Sequence, residues 1–159
     1  MADRAAFVAA LEAEQAAFDA FVGILETESS ALEGSDVEAL IALAQQKSEK
    51  VAVLSRLSEE RRAFLRSAGF PADRVGMAQW LVAQGNEGAP ISPLWSRLLD
   101  SAARAQRLND SNGALIESRL RFNQSALAAL QSAARQTTSY GPDGTTRLSI
   151  GMGRDLGSA

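Results

Sequence analysis

The chain has 159 residues, 30 of them alanine, a net charge of −3, and neither histidine nor cysteine. Without those two residue types it cannot form a Ser-His-Asp or Cys-His nucleophilic centre, an ordinary zinc site, the Glu-x-x-His pairs of a di-iron bundle, or a disulfide. We therefore expect no catalytic residues, no metal and no cofactor. The acidic balance disfavours nucleic acid as the main partner, and the alanine content favours one domain of long, closely packed helices.

No segment predicts secretion or a membrane anchor. Asp3, Arg4 and Glu12 occur with no apolar stretch between them, unlike the pattern of a signal peptide. The chain also lacks the run of about 18 apolar residues that a membrane-spanning helix needs. These observations predict a cytoplasmic protein that does not insert into the membrane.

The first predicted helix covers residues 3–33. Its apolar residues follow a 4-3 spacing, which is typical of a helix packed along its whole length. These residues are Phe7, Leu11, Phe18, Phe21, Leu25 and Leu32. Glu14 and Glu28 interrupt the series at in-phase positions, and Gly34 is expected to end the helix.

A second helix is predicted to begin after Ser35, with Ser35 as N-cap and Glu38 completing a capping box, and to end near Ala68. We expect its inward face to comprise Val37, Leu40, Ala44, Val51, Leu54, Phe64 and Leu65. The short turn before it predicts that the two helices form an antiparallel hairpin.

Residues 70–91 are rich in glycine and proline and are predicted to form a loop with one short helix around Trp80. Ser92 and Pro93 then have the residue types of an N-cap and a first helical position, so a long helix is predicted over 92–135. Its proposed inward series is Trp95, Leu99, Ala102, Gln106, Asn109, Gly113, Ile116, Leu120, Asn123, Leu127, Leu130 and Ala134. Both tryptophans are expected to anchor the core.

Three successive positions of that series are polar or lack a side chain: Gln106, Asn109 and Gly113. One interpretation is a polar layer that fixes the register, with a backbone approaching closely at Gly113. The other is a segment where the helices of the bundle pack weakly, so that a partner helix can bind between them. The sequence alone leaves both open.

The charges of the long helices differ in sign. Residues 3–33 have seven acids and one base, whereas residues 92–135 have three acids and six bases. An acidic stripe recurs every seven residues at Glu12, Asp19, Glu26 and Glu33. We interpret this stripe as a solvated face that balances the basic last helix, in preference to a docking face for a basic partner.

After Arg135 the helical pattern ends. Residues 137–159 contain five glycines, several serines and threonines, and apolar residues without periodicity. The domain prediction is therefore a helical bundle over 1–136 and a flexible C-terminal tail over 137–159.

Three segments in the second half of the chain carry recognisable motifs: LNDSNGALI at residues 108–116, NQSALAAL at residues 123–130 and YGPDG at residues 140–144. In that order they resemble the "LN-x-x-NG-x-LI" segment, the "NQ-x-AL-x-x-L" segment and the "YG-x-DG" ending of the FlgN family of flagellar export chaperones. Their order and spacing agree with the family, and the first half of the chain resembles it more loosely.

The resemblance implies an all-α antiparallel bundle in the cytoplasm. It also implies a chaperone that binds the terminal helical segments of hook–filament junction proteins and presents them to the flagellar type III export gate. The positions that it marks for partner binding are Asn109, Asn112, Gly113, Ile116, Asn123, Leu127, Tyr140, Gly141, Asp143 and Gly144. The alternative is a structural coiled-coil adaptor that pairs with copies of itself, for example as a homodimer.

Overall fold

The computed structural model describes the backbone of residues 3–139 and the side chains of residues 3–136. Within that range there are four α-helices and no strand: α1 (Arg4–Gly34), α2 (Val37–Ser67), α3 (Arg74–Ala83) and α4 (Ser92–Ser139), with a single 3-10 turn at Gly85–Glu87. The predicted all-α class, the hairpin, the short connecting helix and the continuous last helix are confirmed. None of the helices in this range is long and apolar enough to cross a membrane.

The chain divides into two compact units, Met1–Leu115 and Ile116–Ala159, and α4 contributes residues to both. The domain boundary that the sequence predicts, between residues 136 and 137, stays a prediction. The predicted tail residues Tyr140, Gly141, Asp143 and Gly144 lie outside the described residues.

The hairpin turn lies one residue later than the sequence predicts. Ser35, not Gly34, takes the left-handed conformation, with φ of 54°, and ends α1. Asp36, not Ser35, is the N-cap of α2, and its carboxylate accepts a 3.1 Å hydrogen bond from the backbone N–H of Ala39. Aspartate caps a helix as well as serine does, so the neighbouring serine is left to make the turn. At the start of α4 the N-cap is Ile91 and not Ser92 as predicted, because the carbonyl of Ile91 accepts a hydrogen bond from the N–H of Trp95.

Two ion pairs show the register of the hairpin. Glu14 pairs with Arg61 and Glu28 pairs with Lys47, and in both pairs the residue numbers add up to 75. A constant sum is what two antiparallel helices in continuous register give. In the first unit α4 runs in the same direction as α1, since Ser101 donates to Asp19 and Asn112 donates to the carbonyl of Leu25.

The core of the first unit comprises two apolar clusters. The first holds Phe7, Leu11, Leu65, Met77, Trp80, Ile91, Leu94, Trp95 and Leu98, and the second holds Ala17, Phe21, Val22, Leu25, Leu54, Leu57 and Ala105. The ring of Phe7 stacks on Phe64 at 3.7 Å and meets the edge of Trp80 at 4.8 Å. Both tryptophans are buried, as predicted.

The predicted inward face of α2 is partly wrong. Leu54 and Leu65 are buried as expected, but the other two buried residues of α2 are Leu43 and Leu57. Three predicted core residues are instead exposed: Val37, Ala44 and Val51. The buried residues of α2 are those whose residue numbers add up to about 75 with residues of the α1 seam. The predicted inward face therefore lies at the wrong angle around the helix.

The predicted phase of α4 is also offset in the first unit. Its buried residues are Leu94, Trp95, Leu98, Ala105 and Asn112, whereas Gln106 and Asn109 are exposed. A Cβ added at Gly113 would meet no atom within 4 Å, so the close backbone approach predicted there is wrong.

Candidate interaction surfaces

The first interruption of the α1 seam is a buried ion pair. Both carboxylate oxygens of Glu14 accept from Arg61, Oε2 at 2.9 Å from Nε and Oε1 at 3.3 Å from Nη2. Nη2 also donates to the hydroxyl of Ser58, and the guanidinium lies 5.1 Å from the centre of the Trp95 ring. This layer joins α1, α2 and α4, and Phe18 packs against both apolar clusters beside it.

The second interruption is a buried polar layer with three members. Lys47 is 3.2 Å from Oε2 of Glu28, and the same oxygen accepts a 2.8 Å hydrogen bond from the amide of Asn112. That amide also donates to the carbonyl of Leu25 at 2.9 Å. The layer thus fixes α4 against α1 in the first unit, as the register-fixing interpretation proposed, but through Asn112 instead of Gln106, Asn109 and Gly113.

The acidic stripe lies beside α4. Asp19 accepts from Ser101, and Glu26 forms an ion pair with Arg104. These contacts favour the interpretation of the stripe as the counterpart of the basic last helix. In the described part of the chain, no group of three or more acidic side chains is arranged to hold a metal ion.

The second unit has an exposed apolar surface on α4. Ile116, Leu120, Asn123, Leu127 and Leu130 follow one another at 4-3-4-3 spacing, so they share one face of the helix. We call these five residues the α4 stripe. Its leucines are more than half exposed, and Phe122 on the flank is 73% exposed. The prediction that this series faces inward is wrong for the described structure, because α4 is the only described element of this unit.

The residues that the sequence marks for partner binding are therefore divided. Asn109 is exposed, Gly113 is half-buried and Asn112 is buried, all in the first unit. Ile116, Asn123 and Leu127 are exposed in the second unit. Among the described members, only those of the second unit form a continuous exposed surface.

Comparison with known proteins identifies relatives over nearly the whole chain. The model of the FlgN protein family matches residues 1–147. The chain is 28% identical to the flagella synthesis protein FlgN of Proteus mirabilis over 148 residues, which cover 92% of this chain and 93% of that protein. It is also 28% identical to FlgN of Salmonella typhimurium over 103 residues, which cover 65% of this chain and 71% of that protein.

A solved structure has the same fold. The crystal structure of a candidate flagella synthesis protein FlgN from Pseudomonas aeruginosa superimposes with a TM-score of 0.66. It is 24% identical in sequence, and the match covers 85% of this chain and all of that one.

Proposed function

The chain belongs to the FlgN family of flagella synthesis proteins, a family of flagellar assembly factors and not a known enzyme family, and from this premise we propose that it is a cytoplasmic export chaperone. Its cargo is the terminal helical segment of a hook–filament junction protein. The chaperone keeps this segment from associating early and delivers it to the flagellar type III export gate.

The observation that supports this proposal is the α4 stripe. A helix that exposes apolar residues at 4-3 spacing is a surface on which an amphipathic helix packs through its own apolar face. Leu120 and Leu127 are each 57% exposed. Because complete burial of a leucine stabilises by about 1.5–3 kcal/mol, covering the exposed part of both contributes about 2–3 kcal/mol to binding.

The other marked residues have different roles in the proposal. Asn109 and Gly113 are proposed as partner contacts within the first unit, separate from the α4 stripe. Asn112 acts indirectly, since its amide is already bonded to Leu25 and Glu28 and so holds α4 in place. The tail residues Tyr140, Gly141, Asp143 and Gly144 are presented to the export gate or to the cargo.

The test is a calorimetric titration of the chaperone with the terminal helical segment of a hook–filament junction protein from the same bacterium. Replacing both Leu120 and Leu127 by aspartate is expected to weaken binding at least about 30-fold, the equivalent of about 2 kcal/mol. Ser125→Asp is the matched control, because it adds a charge to the opposite face of the same helix segment. Equal affinities for the wild type and the double variant would contradict the proposal.

The role of the tail needs a separate comparison. Titration of a chain that ends at Arg135 shows whether the tail contacts the cargo, since loss of binding would place the contact in the tail. If both chains bind, the tail is free for the export gate. In that case Tyr140→Ala should reduce export while the helicity and the melting temperature stay unchanged.

The same stripe favours a second candidate function, self-association as a structural coiled-coil adaptor. Two copies could cover their stripes mutually in a homodimer. Sedimentation equilibrium distinguishes the two functions: the chaperone proposal expects the cargo segment to dissociate any dimer, whereas the adaptor proposal expects a dimer that the cargo does not affect.

A further inference from the structure

A cleft in the first unit contains three arginines around Trp95, at a distance along the chain from the α4 stripe. Its volume is about 330 Å³, and it is formed by α1, α2, the start of α3 with the two residues before it, and α4. We call it the arginine cleft. Its lining comprises Glu14, Phe18, Ser58, Arg61, Arg62, Ala72, Asp73, Arg74, Trp95, Leu98, Leu99 and Ala102.

The cleft has positive charge that its own acids do not balance. Three arginines line it against two acids, Glu14 and Asp73. Glu14 already accepts two hydrogen bonds from Arg61, and Asp73 caps α3 by accepting from the N–H of Gly76. The lining therefore has a formal charge of +1. Arg62 and Arg74 are its exposed arginines and form its rim; Arg62 is 52% exposed and lies 3.9 Å from Glu59, which is outside the lining.

The floor of the cleft is apolar and packed into the core. Trp95 and Leu98 are buried members of the first apolar cluster, and Leu99 packs against it. Arg61 lies over the Trp95 ring and is held there by Glu14, so the floor is fixed before any ligand arrives. A preformed floor of this kind lowers the entropic cost of binding.

We propose that the arginine cleft is a second docking site, which binds an acidic amphipathic helix of a protein partner. A carboxylate of the partner lies between Arg62 and Arg74, and an apolar side chain from the next turn packs on Phe18 and Leu99, the partly exposed apolar residues of the lining next to Trp95. A cleft of this volume holds one or two side chains, so the helix lies across it instead of within it. The apolar floor next to the guanidinium groups favours such a helix over a free inorganic anion.

This proposal does not depend on the export role, because the cleft and the α4 stripe share no residue. Two synthetic helical peptides test it. Both carry leucine at 4-3 spacing and lack aromatic residues; one has three glutamates in its last turn and the other has three lysines there.

The readout is ¹⁹F NMR of the full chain labelled with 5-fluorotryptophan. The protein has two tryptophans, Trp95 in the cleft lining and Trp80 in the core, so Trp80 is an internal control. Trp95→Phe assigns the two signals. The glutamate peptide is expected to shift the Trp95 signal saturably and to leave the Trp80 signal in place, whereas the lysine peptide shifts neither.

Charge reversal then tests the two rim arginines. The double variant with Arg62→Glu and Arg74→Glu should bind the glutamate peptide at least about 10-fold more weakly, because repulsion between like charges replaces two attractive contacts. Arg107→Glu, an exposed charge change on α4 outside the cleft lining, should change its affinity less than twofold.

Four results would overturn the proposal. The first is an equal response to both peptides, and the second is an equal loss of affinity in the Arg107→Glu control. The third is loss of glutamate-peptide binding in the double variant that carries Leu120→Asp and Leu127→Asp, which would place the peptide on the α4 stripe. The fourth is a Trp95 shift by inorganic phosphate as large as that by the peptide, which would make the cleft an anion site.

Discussion

Removal of Arg61 should unfold the first unit at much lower denaturant concentration than the wild type. Only 2% of the Glu14 side chain and 12% of the Arg61 side chain are exposed, so the two charges depend on each other and on Ser58 for compensation. Arg61→Met keeps an unbranched stem in the same space but leaves the carboxylate without its partner. Leaving one charge of a buried pair uncompensated destabilises by about 3–5 kcal/mol.

Urea denaturation followed by far-ultraviolet circular dichroism measures this loss. With a denaturant dependence of about 2 kcal/mol per molar urea, the midpoint should fall by about 1.5–2.5 M. The matched control is Arg56→Met on the same helix. Arg56 pairs with Glu60 at 2.6 Å, but both side chains are largely exposed, so its loss should cost less than about 1 kcal/mol.

The double variant separates the ion pair from the packing. Replacing both Glu14 and Arg61 by leucine removes the uncompensated charge, so we expect a stability near that of the wild type or above it. The reasoning is refuted if Arg61→Met and Arg56→Met lose the same free energy of unfolding.

Three further substitutions test other parts of the structure by the same denaturation assay. Gly113→Ala should stabilise by about 0.5–1 kcal/mol, because alanine favours the helix and its Cβ meets open space; destabilisation would show a close neighbour there. Gly76→Ala should destabilise by about 1–3 kcal/mol, because its Cβ would overlap the carbonyl group of Pro71; an unchanged midpoint would contradict the tight turn. Asn112→Ala should destabilise by about 1–3 kcal/mol, since it removes the two buried hydrogen bonds that the Asn112 amide donates to Leu25 and Glu28; a neutral effect would mean that the polar layer does not fix α4.

The helices could be predicted from the sequence because their signals are local. Alanine content, 4-3 spacing and the glycine–proline segment 70–91 each depend on neighbouring residues. The hairpin register was also present in the sequence. Glu14 and Glu28 are separated by 14 residues, as are Lys47 and Arg61. In-phase acids on one helix with bases at the same separation on the next are a signal for two buried ion pairs in an antiparallel hairpin.

The helix faces could not be predicted as well, because they depend on which neighbours a helix has. Val37 and Val51 are apolar and follow the spacing of an inward face, yet both are exposed, because the buried face of α2 holds Leu43, Leu54 and Leu57 instead. On α4, a 4-3 series continues through Ile116 to Leu130, although no second described helix packs there. An unpartnered apolar series and a core series look identical in sequence, and only the surrounding structure distinguishes them.

The arginine cleft shows the same limitation at the level of a site. Arg62, Arg74 and Trp95 are far apart along the chain and belong to no common motif. The turn after α2 brings Arg74 close to α2 and α4, and this placement depends on the tight approach of Gly76 to Pro71. Sequence reasoning therefore identified the tryptophan as a core anchor but not the two cations beside it.

The central claim is that cargo covers the α4 stripe, and hydrogen–deuterium exchange of the full chain tests it most directly. An exposed, unpacked helix segment exchanges its amides quickly, and packing against a partner slows them. With a saturating terminal segment of a hook–filament junction protein, exchange should slow over residues 116–130, and Ser125→Asp should leave this protection intact. Saturated binding with unchanged exchange over 116–130, and protection only elsewhere, would contradict the claim.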